Sequence, residues 1–194
     1  MKRVDMSNVQ EAGSFDRLPA GVYICSIMAV DDVPDKEYLK VTYDIAEGEH
    51  KGYYGEIRKA HPEWAWSGAY VKSYKTAALP MFKRFCSAVS KSNGNYVFDG
   101  NTVNADEKTL IGKKIGLILR DEEYYGNDGN LKTRLFVDRE FAIGDFSNQK
   151  QPTLKKLDPS KLKPGTTPTA TTGRPESDGF MNIPEGADGE EVPF

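Results

Sequence analysis

The segment Tyr38-Leu39-Lys40-Val41-Thr42-Tyr43-Asp44-Ile45 alternates apolar and polar side chains, and a period of two is what a half-buried strand requires. Leu39, Val41, Tyr43 and Ile45 share one face, while Lys40, Thr42 and Asp44 share the other. Such a strand needs a core on one side and water on the other, which an antiparallel sheet supplies. Around it the chain reads as a meander. Leu18-Pro19-Ala20-Gly21 is a turn signal, residues 22–29 form a β-rich run, and Asp31-Asp32-Val33-Pro34-Asp35 is expected to end it. Glu47-Gly48-Glu49-His50-Lys51-Gly52 turns the chain into an expected third strand over residues 53–59.

Helical spacing is clear once, over residues 73–90, where Leu79, Phe82, Phe85, Cys86 and Val89 recur at intervals of three and four before Asn93-Gly94. Pro80 either sits in the first turn of a helix starting near Leu79 or kinks a longer one. Residues 112–120 and 131–143 read as two more strands, joined by a turn at Tyr124-Tyr125-Gly126-Asn127-Asp128-Gly129-Asn130. The expected fold is therefore mainly β: a five-stranded OB barrel with one helix between strands three and four, whose strand 2–3 face and loops commonly bind oligonucleotides.

From Pro152 to Asp188 the chain is rich in Pro, Thr, Gly, Ser and Lys and has few large apolar residues, so it cannot offset the entropy of ordering. The expected organisation is a flexible arm at 1–17, the domain at 18–146, a disordered linker at 147–187 and a tip at 188–194. Of 29 acids, six fall between Pro175 and Phe194 with no Lys or Arg, leaving 23 acids against 26 basic residues before them. A mildly basic body permits a polyanion partner if its charge is gathered on one face. Two cysteines, Cys25 and Cys86, suggest neither a disulfide framework nor a zinc site, and no apolar run is long enough for a membrane span. A cytoplasmic protein is expected.

Between Lys51 and Phe85, basic residues are interleaved with rings and only Glu56 and Glu63 are acidic. Flat rings stack on unpaired bases while Lys and Arg follow the phosphates. Trp64, Trp66, Tyr70 and Tyr54 are the first stacking candidates, with Tyr53 and Tyr74 beside them. Lys51, Arg58, Lys59, Lys72 and Lys75 are the candidate phosphate contacts. Each ring has a competing use in the core, and Phe82 and Phe85 are read as core. On a strand, Trp64 and Trp66 would lie on one side. Tyr124 and Tyr125 are a second candidate stacking pair, although Asp121, Glu122 and Glu123 beside them oppose phosphate. No nucleophile–base pair, metal-ligand spacing or phosphate-cradling glycine loop is present, so neither catalytic residues nor a metal or cofactor is expected.

Glu190, Glu191, Val192, Pro193 and Phe194, with Asp188 just before them, combine acids for steering with an aromatic anchor and a stiffening proline. They read as a peptide held by another protein. This segment looks like the acidic tip of bacterial single-stranded DNA-binding proteins, although here Gly189 interrupts the acids. The motifs Leu18-Pro19-Ala20-Gly21-Val22-Tyr23, Tyr38 to Ile45, Glu47 to Gly52, Gly112-Lys113-Lys114-Ile115-Gly116 and the Tyr124 hairpin resemble a family of phage-encoded single-stranded DNA-binding proteins. The resemblance spans residues 18–143. It implies a sequence-independent single-stranded DNA-binding protein of phage replication or recombination, not an enzyme, in the host cytoplasm; the likeness of the tip implies recruitment of replication, recombination or repair proteins. Whether exposed strand edges pair it into a homo-oligomer is not legible in the sequence. The alternatives are a protein-recruiting adaptor or DNA mimic, and a small metal-dependent nuclease built on scattered loop carboxylates.

Overall fold

The computed structural model describes residues 17–100, 106–126 and 129–158; the arm through residue 16, the chain beyond 158 and the 188–194 tip lie outside them. The fold is mainly β. Strands β1 (Gly21–Val33), β2 (Tyr38–Ile45), β3 (Ala69–Ser73), β4 (Lys114–Tyr125) and β5 (Leu131–Phe141) form one antiparallel sheet in the order β3-β2-β1-β4-β5. Helix α1 (Tyr53–Ala60) lies between β2 and β3, and α2 (Leu79–Ser92) between β3 and β4. Among the described residues no helix is long and apolar enough to cross a membrane.

The alternating face of β2 is the buried one, with Leu39, Val41, Tyr43 and Ile45 all in the core. Ile27 and Cys25 from β1, Ile115, Leu117 and Leu119 from β4, and Phe85 and Val89 from α2 complete it. Both thiols are buried, which raises their pKa, that of Cys86 to about 11. Pro80 occupies the first turn of α2, the first of its two expected positions, where its missing N–H breaks no helical bond.

Three boundaries differ from the sequence reading. β1 continues through Asp31 and Asp32 to Val33 because Asp31 sits across from Lys40, and the ladder carries two acids that a solitary strand would not. Tyr124 and Tyr125 belong to β4, paired with Lys132 and Leu131, so the turn is shorter than expected. Residues 53–59 form a helix rather than the third strand, which is instead Ala69–Ser73. Gly52 precedes α1 in the left-handed region, φ 76°, and Asp44 caps its first turn. The buried carboxylate accepts from the Tyr54 and Gly55 amides, both at 3.0 Å, and from the Ile45 amide at 2.8 Å. Asp44→Ala strips three amides, two of them buried, of their acceptor and should cost about 2 kcal/mol in denaturant unfolding, with Asp44→Asn recovering part of it.

β3 and β5 are the edges of the sheet, and no ladder joins them among the described residues. A side-chain link does. Lys72 Nζ on β3 lies 2.7 Å from Glu140 Oε1 on β5, with the Lys72 side chain 11% and the Glu140 side chain 2% exposed. Helix α2 contacts β3, β4 and β5, so it covers this gap.

Downstream of β5, the boundary placed at 146 falls inside a 3₁₀ helix, Ile143–Asn148, and the chain stays attached through Leu157. Lys155 donates its amide to the Asp121 carbonyl at 2.9 Å and accepts the Glu123 amide at 3.0 Å, pairing parallel to β4 where β1 has ended. The Leu157 amide donates to Glu123 Oε2 at 3.0 Å. These bonds satisfy a strand edge that would otherwise be bare.

Candidate nucleic-acid interface

The constellation between Lys51 and Phe85 divides when folded, and most of its rings face inward. Tyr54 is 7% exposed. It packs edge-on against Tyr43 and Tyr53, with centroids 5.5 and 5.1 Å away, while Tyr70 lies 5.9 Å from Tyr43. Trp66 lies 6.4 Å from Tyr54, and its indole N–H donates to the Tyr43 carbonyl at 3.0 Å. Tyr53 accepts the Leu18 amide at its hydroxyl, fixing the chain where it enters β1. Burial pushes the phenols of Tyr43, Tyr54 and Tyr70 well above their usual range, so they stay neutral.

Tyr54 and Tyr70 are thus placed as core rather than as open stacking surfaces. The reason for Tyr70 is register: opposite the inward residues Leu39 and Val41 of β2 stand Lys72 and Tyr70, and the apolar Val71 faces out, 56% exposed. The same register buries Lys72 on Glu140, where its charge is already engaged. Gly68 permits this packing, since a Cβ there would lie 2.5 Å from the Tyr43 carbonyl oxygen and 2.6 Å from the Tyr54 ring.

Trp64 and Trp66 occupy a loop, not a strand, and serve different neighbours. Trp64 stacks on His61, 3.8 Å between centroids and 7° from parallel, and the Arg58 guanidinium donates to its carbonyl. Lys59 pairs with Glu56 at 2.7 Å. The Tyr74 hydroxyl donates to Asp32 at 2.8 Å; burial and that carboxylate raise its pKa to about 12. Lys51 and Lys75 are exposed. This end of the molecule retains exposed cations but few open rings.

The open arrangement of rings and cations lies on the outer face of β4 and β5. Directly opposite pairs there are Tyr124 and Lys132, Glu122 and Arg134, and Arg120 and Phe136. The Arg134 guanidinium sits 5.3 Å from the Tyr124 ring centroid and 5.8 Å from that of Phe136, and Arg120 lies 5.9 Å from Phe136. Phe136 is 41% exposed. Tyr125, next in the strand, belongs to the opposite face, so the two tyrosines are not a stacking pair.

Glu122 ties this face to the downstream segment, with Lys155 at 2.9 Å and Arg134 at 3.5 Å. Burial alone would raise its pKa, but the hydrogen bond and charge of Lys155, with Arg134 and Arg120, outweigh that and hold it below the usual carboxylate range. A depressed folded-state pKa makes this contribution complete above the ordinary range and lost as pH falls through the lowered value. The exchange protection factor of the Lys155 amide should therefore drop in acid before that of the β1–β4 amides.

Arg120, Arg134, Phe136 and Lys155 escaped the sequence reading. The signal was present in the period-two run of Lys132, Arg134, Phe136 and Asp138 within an expected strand.

Two surface pockets differ in chemistry. One, of about 350 Å³, is lined by Tyr23, Glu47, Glu49, His50 and Phe146, and its acids oppose a phosphate. The other, of about 210 Å³, lies beside Arg120 and Arg139. Among the described residues no group of three His, Cys, Asp or Glu side chains is placed to hold a metal ion.

No family model matches this chain, and neither does any curated protein.

Proposed function

We propose that the protein binds single-stranded DNA independently of sequence, with the outer face of β4–β5 as its principal stacking surface. One observation carries this reading: the run Tyr124, Arg134, Phe136, Arg120 alternates rings with guanidinium groups on an open sheet face. Rings accept any base, and arginines supply phosphate contacts and cation–π stacking. The strand order supports an OB-type barrel. β1 lies between β2 and β4, and the edge strands are bridged by Lys72 and Glu140 instead of a ladder, in keeping with a partly open barrel.

The resemblance of residues 18–143 to phage-encoded single-stranded DNA-binding proteins agrees with this role in replication or recombination. Exposed Lys51 and Lys75, with Trp64, would extend the path of a bound strand. The acidic segment from Asp188 to Phe194 is proposed to recruit partner enzymes. Competition of unlabelled duplex, RNA and oligo-dT of equal length against labelled oligo-dT, at two salt concentrations, tests the reading. Oligo-dT should displace the probe at far lower concentration than duplex, and affinity should fall with salt; equal competition by duplex would sink it.

A further inference from the structure

We propose that the pocket between the β4–β5 face and the downstream segment holds one backbone phosphate of a strand whose base lies on Phe136. This rests on the single-strand reading above. The pocket, about 210 Å³, is bounded by Arg120, Asp138 and Arg139 on the sheet and by Lys150, Pro152 and Thr153 across from them. Three cations thus surround one carboxylate.

Local geometry explains how these groups converge. Ile118 pairs with Arg139 and Leu119 with Val137, so Asp138 is the extra residue of a bulge. The bulge lets consecutive residues Asp138 and Arg139 line one pocket, whereas a regular strand would send them to opposite faces. Asp138 bonds the Arg120 guanidinium and lies 3.5 Å from Arg139 Nε. That single carboxylate leaves an excess of positive charge.

The facing wall is fixed. Lys155 and Leu157 pin the segment to β4 through backbone bonds and through Glu122 and Glu123. Arg120 borders the pocket and also flanks the Phe136 ring, so phosphate and base would be held as neighbours, as one nucleotide requires. The chain just after β5, read from sequence as linker, is in this account part of the binding site.

The test uses the full chain and labelled oligo-dT across a salt series, comparing wild type with Lys150→Ala, Arg139→Ala, the double variant and a Lys91→Ala control on α2. The double variant should bind about tenfold more weakly, and its plot of log affinity against log salt should be shallower by about 0.7, the loss of one phosphate contact. Lys91→Ala should keep the wild-type slope. Lys150→Ala alone, at an exposed position, gives a readout even if Arg139 proves to support the hairpin. Wild-type binding with unchanged slopes in all variants would overturn the pocket and leave the function standing. Failure of the wild type to bind oligo-dT would overturn both. Inorganic phosphate at constant ionic strength forms a last arm: phosphate-dependent thermal stabilisation lost in the double variant, without any slope change, would mark a free-anion site and contradict the proposal.

Discussion

Glu140→Ala should lower the stability of the domain by about 3–5 kcal/mol, a fall of roughly 10 °C in Tm. The expectation follows from the location of its partner. Lys72 Nζ is held 2.7 Å from Glu140 in a site that leaves its side chain 11% exposed. Removing the carboxylate strands an ammonium ion beneath α2. Arg84, 3.8 Å from Glu140 Oε2, also loses a partner, but its half-exposed side chain can turn to water. The substitution acts where the sheet edges meet, so β3 and β5 should lose amide protection together while the β1–β2 ladder keeps its own. Replacing both partners, Lys72→Leu with Glu140→Leu, removes the uncompensated charge and should recover most of the loss. A Glu140→Ala protein that melts with the wild type would show that this ion pair does not hold the edges together.

Phe136→Ala should weaken binding to oligo-dT by about 1–3 kcal/mol, between roughly fivefold and 150-fold, the range for one stacked base. Stability should change little, because Phe136 is 41% exposed and its contacts are with the Arg120 and Arg134 guanidiniums rather than the core. The separation of affinity from stability is the diagnostic. Phe146 is equally exposed, but it lies beside Phe141 and the acidic pocket. Phe146→Ala should leave affinity unchanged. Equal losses from both variants, measured by anisotropy on proteins with matching melting curves, would mean that general hydrophobic surface, not this face, governs binding.

Residues whose environment follows from period alone were legible in the sequence. Leu39, Val41, Tyr43 and Ile45 lie inward as their alternation demands, and Phe85, Cys86 and Val89 are buried on α2 as their helical spacing demands. Long-range choices were not legible. Residues 53–59 carry enough Tyr and Ile for a strand, yet Asp44 reaches from β2 to cap the first turn, and a tertiary hydrogen-bond acceptor decides in favour of helix. β3 inverts the usual rule, with Lys72 inside and Val71 outside, because an acid on another strand waits at the matching position. Composition therefore drew attention to a ring-rich segment that largely packs on itself. The open rings are on β4 and β5: Phe136 has Arg134 two residues before it on its own strand, but Arg120 and Tyr124 join them only when β4 pairs with β5.

Photo-crosslinking of the full chain to an oligonucleotide of 5-iodo-deoxyuridine, followed by peptide mapping, tests the central claim most directly, since the iodinated base couples to the ring it stacks on. Crosslinks are expected at Phe136 and Tyr124, suppressed by excess unlabelled oligo-dT but not by duplex. Crosslinks confined to Trp64 and the α1 end of the molecule, or none at concentrations where the oligonucleotide is bound, would contradict it.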